Sequence, residues 1–194
     1  NFNQSSPPQG TYKSISAGEA HACAIALDTS KVVCWGAGAT AAGCFPNRNY
    51  ECGQAEGAPG PFVEVASGEQ HSCALREDGT IACWGVGKTG EMCAPGAGNN
   101  MFDCGQAKPP DATKERFVRI RAGWQFTCGV TDEYKLQCWG YKDSGLTKAR
   151  PGKYSQVAAG GSTHVCAIGL DGAVSCWGGD SSGDTMVPKD VPGE

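Results

Sequence analysis

One short pattern occurs four times along the chain, and this repetition limits the possible folds more than any other feature of the sequence. Each copy has an alternating stretch that begins with an aromatic residue, then a glycine-containing turn, a cysteine, a short loop and a second cysteine within Cys-Trp-Gly. Self-similarity at a spacing of roughly 20–50 residues indicates a stack of similar units that bury their apolar faces against one another. We therefore expect a single domain with a connector at residues 1–11 and repeats at residues 12–61, 62–116, 117–153 and 154–194.

Each repeat is predicted to form three short strands, of which the second and third make a hairpin. In the second repeat we place Cys73 opposite Cys83. The same register places Leu75 opposite Ile81 and leaves residues 77–79 as the loop. Directly opposed residues at a non-hydrogen-bonded position of an antiparallel pair are close enough for a disulfide. We therefore predict one disulfide per hairpin: Cys23–Cys34, Cys73–Cys83, Cys128–Cys138 and Cys166–Cys176.

The predicted sheets have bulky side chains on both faces. The tryptophan after each second cysteine points to the opposite face from the disulfide, because side chains alternate along a strand. Both faces therefore need covering, and small sheets packed radially around an axis meet that need. The expected fold is all-β, a propeller-like array of four small antiparallel blades with one disulfide-stapled hairpin per blade.

Cysteine content and charge indicate the compartment. The chain has 12 cysteines and no Cys-x-x-Cys pair, which favours a disulfide framework over zinc sites. We therefore expect a secreted protein, with Asn3 of an Asn-Gln-Ser sequon as a glycosylation site. The formal net charge is -4 and the basic residues form no cluster, so nucleic-acid binding is not expected. No apolar run is long enough to span a bilayer, so membrane insertion is not expected either.

The four segments resemble the repeats of the regulator of chromosome condensation family, and especially its secreted, cysteine-bearing members. The resemblance rests on the aromatic-x-x-Val/Ile strand, the Ala/Ser-Gly turn, the Asp-Gly loop, Cys-Trp-Gly followed by Gly-Gln, and a histidine before a cysteine at His21, His71 and His164. It implies a β-propeller, which in that family commonly has seven blades. Members include a nuclear exchange factor, secreted inhibitors of β-lactamase and ectodomains of plant receptor kinases. The resemblance therefore implies a fold and not one function, and the predicted disulfides argue against the nuclear role.

Four repeats are fewer than the resemblance implies, and three arrangements are open. Four blades can close a small ring. Alternatively, the chain is an arc of a longer array, because residues 1–10 look like the tail of a preceding repeat. In the third arrangement, this N-terminal segment pairs with an edge of another subunit. We favour a compact, propeller-like monomer.

The first two repeats carry long insertions after Cys-Trp-Gly, and each insertion has its own cysteine pair. We predict the disulfides Cys44–Cys52 and Cys93–Cys104 there. Insertions at the same place in neighbouring repeats emerge on one face of the stack and form a candidate binding surface. The alternative is that the loops only cover an edge or pack on each other. Aromatic, Arg and Met side chains are enriched at interfaces, which nominates Phe45, Arg48, Tyr50, Met92, Met101 and Phe102.

Histidine and tryptophan side chains near the turns each have two interpretations. His21, His71 and His164 lie two residues before a cysteine, as metal ligands can, but these cysteines are assigned to disulfides. We therefore expect structural histidines that bond backbone carbonyls at the blade edge, and no cofactor. Trp124 replaces a glutamate of the first two repeats. It is either an exposed anchor for a sugar or a partner, or a buried filler opposite Phe126, and composition favours the filler.

The sequence favours binding over catalysis. It has no G-x-S-x-G elbow, HExxH helix or phosphate-binding glycine loop, so we nominate no catalytic residue. The expected function is a non-catalytic secreted propeller that acts as an extracellular protein-interaction module or assembly scaffold. Its expected partner is another extracellular protein or a copy of itself, with a glycan as a further candidate. The alternative is a secreted inhibitor or a carbohydrate-binding lectin that uses the two long disulfide-bonded loops.

Overall fold

The computed structural model describes residues 2–39, 52–88, 104–142, 145–148, 150–161, 163–179 and 185–187. These residues form twelve strands in four antiparallel sheets, and each sheet has three consecutive strands. The expected all-β array of four blades is therefore confirmed. The strands are, in blade 1, β1 (Tyr12–Ala17), β2 (His21–Ala26) and β3 (Val32–Gly36); in blade 2, β4 (Phe62–Ser67), β5 (His71–Arg76) and β6 (Ile81–Gly85); in blade 3, β7 (Phe117–Ala122), β8 (Phe126–Thr131) and β9 (Leu136–Gly140); in blade 4, β10 (Tyr154–Gly160), β11 (His164–Gly169) and β12 (Val174–Gly178).

The hairpin of every blade has the predicted register and its own disulfide. Cys73 pairs directly with Cys83, and Leu75 pairs with Ile81. Their Cα atoms are 4.1 Å apart, which is the narrow spacing of a non-hydrogen-bonded antiparallel position. The other hairpins repeat this arrangement, which confirms the four predicted bonds Cys23–Cys34, Cys73–Cys83, Cys128–Cys138 and Cys166–Cys176.

A left-handed residue closes each hairpin loop, whatever its side chain. Gly79 and Gly172 have φ angles of 81° and 83°, as expected for loops of this length. Tyr134 and Ser30 occupy the corresponding positions with φ angles of 66° and 53°. Tyrosine is thus accommodated where glycine would be the natural residue. In blade 2 the loop is also held by Asp78, whose Oδ1 accepts a hydrogen bond of 2.9 Å from the Thr80 backbone N–H.

The first strand of each blade contains an irregularity that simple alternation does not predict. In blade 2 the pairing register shifts between Phe62 and Glu64, which is the signature of a β-bulge. Val63 therefore has no paired residue on β5 and is 47% exposed. The same shift occurs at the matching place in blades 1, 3 and 4.

The hydrophobic core lies at the junctions between successive blades. Strand β4 packs on β1 and β2, β7 packs on β4 and β5, and β10 packs on β7 and β8. At the first junction, Ile25 of blade 1 meets Phe62, Val65 and Trp84 of blade 2 in one buried cluster. Equivalent clusters fill the second and third junctions.

The outer faces of blades 1 and 4 are exposed. Ile15 of blade 1 is 68% exposed, whereas its equivalents Val65, Ile120 and Val157 in the other blades are all buried. Val174 on the opposite side of blade 4 is 46% exposed. Within the described residues, the two end blades therefore present faces that inner blades bury. The compact monomer that we favoured from the sequence stays a prediction. No helix in this part of the chain is long and apolar enough to cross a membrane.

Removal of one hairpin disulfide measures its contribution to stability. The double change Cys73→Ser and Cys83→Ser is expected to lower the free energy of unfolding by roughly 3 kcal/mol, because the bond closes a short loop in the unfolded chain. Cys166 and Cys176 close a loop of the same length. However, Cys166 is half-buried whereas Cys73 is inaccessible. Denaturant unfolding should therefore show a greater loss for the Cys73 pair, and a greater loss for the Cys166 pair would contradict this.

Candidate functional site

The turns between the first and second strands of the four blades meet one another in series. We call them the axial turns: residues 17–20, 67–70, 122–125 and 159–161. A Cβ atom on Gly18 would lie 2.3 Å from the carbonyl oxygen of Gly68, and one on Gly68 would lie 2.4 Å from that of Gly123. Glycine is required because the backbones approach this closely. Two backbone hydrogen bonds continue the series, from Glu69 N–H to Trp124 O at 3.2 Å and from Trp124 N–H to Gly161 O at 2.9 Å.

The axial turns of all four blades line one open concavity of about 250 Å³. Its floor is made of small residues and backbone, because most of the lining residues are glycine, alanine or serine. Three larger side chains contribute to the wall, namely Glu19, Glu69 and Trp124. We call this surface the axial concavity. It offers two carboxylates and one indole over a narrow floor of small residues and backbone.

The carboxylate of Glu69 lies in an unfavourable environment for a charge. Burial raises the pKa of Glu69 above its ordinary value, and the nearby Glu19 carboxylate raises it further. A hydrogen bond with the Gln125 side chain opposes both effects. A positive charge brought to this position would relieve the repulsion between the two carboxylates.

Trp124 is exposed, so the expectation of a buried filler is wrong. It is 47% exposed, whereas Trp84 and Trp177 are buried. Phe126 takes the interior position alone, with its ring under the turn: a Cβ on Gly123 would lie 2.3 Å from Phe126 Cε1. No room is left below the turn for a second large ring, and the indole of Trp124 projects from the surface.

The tryptophan of each hairpin is held by the connector that precedes its blade. Trp84 Nε1–H donates to the carbonyl oxygen of Gln54 at 2.9 Å, and Trp139 Nε1–H donates to that of Gln106 at 3.0 Å. In blade 1 the acceptor is the carbonyl oxygen of Gln4, at 2.9 Å from Trp35 Nε1. The N-terminal segment therefore serves blade 1 as the later connectors serve blades 2 and 3. The recurring Cys-Gly-Gln sequence was the signal for these residues, but sequence reasoning did not assign them a role.

The buried histidines bond a hydroxyl group of the next blade and not a backbone carbonyl, which corrects the sequence-based expectation. His21 Nε2 lies 2.8 Å from Ser72 Oγ, and His71 Nε2 lies 2.9 Å from Thr127 Oγ1. Ser72 Oγ in turn donates to Gln54 O at 3.0 Å. Thr127 Oγ1 likewise donates to Gln106 O at 3.0 Å. Because each hydroxyl group donates its proton to a connector carbonyl, it can only accept from the histidine, which therefore donates through Nε2–H. This fixes the tautomer and leaves Nδ1 as a buried lone pair.

These two histidines are held in the neutral form. Burial lowers the pKa of His21 to about 4. Burial, together with the positive charge that His21 would carry, lowers the pKa of His71 to about 3. Protonation at Nδ1 would place a buried charge against the turn with no acceptor for the new N–H, and this cost disfavours the charged form.

The junction between blades 3 and 4 replaces all three members of this polar set by apolar residues. Phe126 stands in place of the histidine, Val165 in place of the hydroxyl residue, and Leu146 in place of the connector glutamine. All three are fully buried in one cluster. A histidine in one blade therefore accompanies a hydroxyl group in the next, and a phenylalanine accompanies valine.

The remaining predicted site residues fall largely outside the described residues. Those residues are Phe45, Arg48, Tyr50, Met92, Met101 and Phe102, so the predicted loop surface stays a prediction. Cys52 and Cys104 are both disulfide-bonded, and their predicted partners Cys44 and Cys93 lie in the same undescribed segments. Asn3 is exposed. No group of three or more His, Cys, Asp or Glu side chains that could hold a metal ion occurs in the described parts of the chain.

Comparison with known proteins identifies the type of repeat. Residues 62–90, which include all three strands of blade 2, match the regulator of chromosome condensation (RCC1) repeat. The other blades share its strands, its register and its disulfide. The four blades are RCC1-like β-propeller repeats.

The relatives of these RCC1-like repeats are longer proteins. The serine/threonine-protein kinase-like protein CCR2 of Arabidopsis thaliana is 28% identical over 171 residues, which are 86% of this chain and 20% of that protein. The CRINKLY WD40 ectodomain of the Arabidopsis thaliana receptor kinase ACR4 has a TM-score of 0.59 and 22% identity, over 87% of this chain and 50% of that one. Prp20p of Saccharomyces cerevisiae has a TM-score of 0.64 and 18% identity, over 95% of this chain and 47% of that one. The chain thus spans one fifth of the curated relative and about half of these structures, which it resembles in fold.

Proposed function

We propose that this chain is a non-catalytic, extracellular protein-interaction module, and that its axial concavity binds a lysine or arginine side chain of a protein partner. The observation that carries the proposal is the exposed indole of Trp124, which lines the same concavity as the carboxylates of Glu19 and Glu69. Large exposed aromatic side chains with charged groups beside them are typical anchors of protein interfaces.

The chemistry of the concavity suits a cation in two ways. The face of an indole attracts an ammonium or guanidinium group. The carboxylate of Glu69 is partly desolvated and repelled by Glu19. A cation placed between the two carboxylates would attract both and offset their mutual repulsion. Arginine is favoured over lysine because its planar group can stack on the indole and donate to a carboxylate at once.

The setting and the relatives support the same proposal. Four described hairpin disulfides are typical of an oxidising, extracellular compartment. Related structures include receptor-kinase ectodomains. Prp20p of Saccharomyces cerevisiae has binding properties to Gsp1p and histones. These relatives support a propeller of this type as a platform for proteins, and the partner of this chain is proposed from its own site chemistry.

The test uses a short blocked peptide with one central arginine, and the same peptide with neutral citrulline. In an NMR titration of the indole N–H signals, the arginine peptide is expected to shift the Trp124 resonance and the citrulline peptide is not. Trp124→Ala should weaken binding of the arginine peptide about tenfold, since a partly desolvated cation–π contact contributes up to about 2 kcal/mol. Equal binding of both peptides, or no effect of Trp124→Ala, would refute the proposed site.

Two further variants make the result specific. Tyr134→Asn is the matched control, because Tyr134 is an equally exposed aromatic residue at 45%, and asparagine tolerates its positive φ. It should leave binding unchanged. Glu69→Gln should weaken binding of the arginine peptide while leaving any stacking of a sugar on Trp124 intact. A titration with a neutral oligosaccharide that ignores Glu69→Gln but depends on Trp124 would favour the lectin alternative.

A further inference from the structure

The outer face of blade 4 has the features that inner blades use to bind the next blade. Its second strand presents Ile168 and Cys166 at the positions of Leu75 and Cys73 in blade 2. Leu75 and Cys73 are buried by blade 3, whereas Ile168 and Cys166 are only half-buried. Val174 is 46% exposed on the neighbouring strand, although the equivalent residues of blades 1 and 3 are buried. This surface is separate from the axial concavity, so its role can be tested independently.

The end face of blade 4 also carries a histidine. His164 occupies the position of His21 and His71, which donate to a hydroxyl group of the following blade. Its Nδ1 is buried without a hydrogen-bond partner, as in those two residues. Its ring is turned, because Nε2 and not Cε1 is the atom nearest to a Cβ built on the preceding turn glycine. Rotation about the side-chain torsions, which have several low-energy states, would direct Nε2 outward.

The described junctions between blades indicate which hydrogen-bond partner suits His164. Wherever a described blade presents histidine, the next blade presents serine or threonine and a connector carbonyl that accepts the hydroxyl proton. Where blade 3 presents Phe126, blade 4 presents Val165. A buried donor without an acceptor is costly, so a histidine face and a valine face are mismatched.

We infer that the outer face of blade 4 binds a further RCC1-like blade that has serine or threonine immediately before the first cysteine of its hairpin. A second copy of this chain does not fit, because blade 1 has Ala22 at that position. Blade 1 has the rest of the acceptor site. Its exposed Ile15 matches the buried Val65 of blade 2, and Gln4 O is bound by Trp35 as Gln54 O is bound by Trp84. The hydroxyl group of Ser72 has no counterpart in blade 1.

This single missing group makes the inference testable on the chain itself. Ala22→Thr supplies the hydroxyl, so a copy with this change serves as the hydroxyl-bearing blade. Ala22→Val supplies the same shape without the hydroxyl. In light scattering, the Ala22→Thr chain is expected to self-associate head to tail about tenfold more tightly than the Ala22→Val chain, since one buried hydrogen bond separates them. Head-to-tail contacts produce rings or open chains, so masses above the 20.1 kDa of one chain are expected.

Exchange of the histidine completes the test. His164→Phe should reverse the preference. The chain with His164→Phe and Ala22→Val is expected to self-associate, and the chain with His164→Phe and Ala22→Thr is not. This reproduces the apolar junction of blades 3 and 4. All four variants change residues to types found at the same place in another blade, and circular dichroism with a thiol assay confirms that each is folded and oxidised. Equal association of all four combinations, or association of the unchanged chain as tight as that of Ala22→Thr, would overturn the inference.

Discussion

Replacement of Gly68 by alanine is expected to lower the free energy of unfolding by more than about 4 kcal/mol, a loss that reflects overpacking at a site with no room to relax. The new Cβ would lie 2.2 Å from His71 Cε1 and 2.4 Å from the carbonyl oxygen of Gly123. The first contact would push the histidine away from Thr127, and the second would separate the turns of blades 2 and 3. Both consequences fall on the same junction. Denaturant unfolding with the disulfides intact measures the loss.

Gly145→Ala is the matched control for this prediction. Gly145 has a φ of +71°, but nothing lies within 4 Å of a Cβ built on it. Alanine therefore meets backbone strain alone, which costs about 1–2 kcal/mol. If the two variants lose the same stability, the close approach of the axial turns does not govern the packing of the blades.

Acidification is expected to weaken the junctions of blade 2 with blades 1 and 3 by several kcal/mol. The folded-state pKa values of His21 and His71 are lowered to about 4 and about 3, below the value of about 6.5 in an unfolded chain. As the pH falls below 6.5, the unfolded chain takes up protons that the folded chain does not, and folding loses free energy. The stability contribution is therefore complete above pH 6.5 and is lost between pH 6.5 and the folded-state values.

Carboxylates affect a lower range of pH. Hydrogen bonds from Thr80 and Thr113 lower the pKa values of Asp78 and Asp111, so their contributions are lost only near and below pH 4. Glu69 has a raised pKa, and it opposes the loss, because the folded chain then binds its proton more readily. The fall in stability between pH 6.5 and 4.5 is therefore assigned to the histidines.

Glutamine substitutions separate the histidine effect from general acid sensitivity. In His21→Gln and His71→Gln, the amide Nε2 can donate to the same hydroxyl group but does not titrate. The doubly substituted chain should be less stable at pH 7, yet its stability should stay nearly constant from pH 6.5 to 4.5. Thermal or denaturant unfolding at several pH values gives both quantities. A profile as steep as that of the unchanged chain would contradict the assignment.

The sequence was sufficient for the blades because their determinants are local. Cysteine spacing sets the hairpin register, and a one-residue slip would place Cys73 and Cys83 on opposite faces. Register, disulfide and loop length thus constrain one another within a dozen residues. Tyr134 shows that this constraint is stronger than side-chain preference, since it adopts a left-handed conformation where glycine is preferred.

The junctions were harder to predict because their determinants lie far apart in the sequence. His21 and Ser72 are separated by 51 positions, and nothing in either segment shows that they touch. The sequence shows that Phe126 replaces a histidine and that Val165 replaces a hydroxyl residue. That the two replacements belong together is evident only when blade 4 is known to pack on blade 3. Trp124 was misjudged for a related reason: Phe126 already fills the space beneath the turn, and composition cannot show which of two nearby rings is buried.

Each described disulfide bridges neighbouring strands of one blade, while the blades are held to one another by side-chain packing and by hydrogen bonds. Under mechanical tension, such an array would separate blade by blade before any disulfide bears the load. Each staple withholds a segment of 10 or 11 residues from extension, roughly 35 Å of chain. A stretched molecule would therefore keep four short disulfide-closed loops along its length, and each loop would retain its hairpin register for refolding.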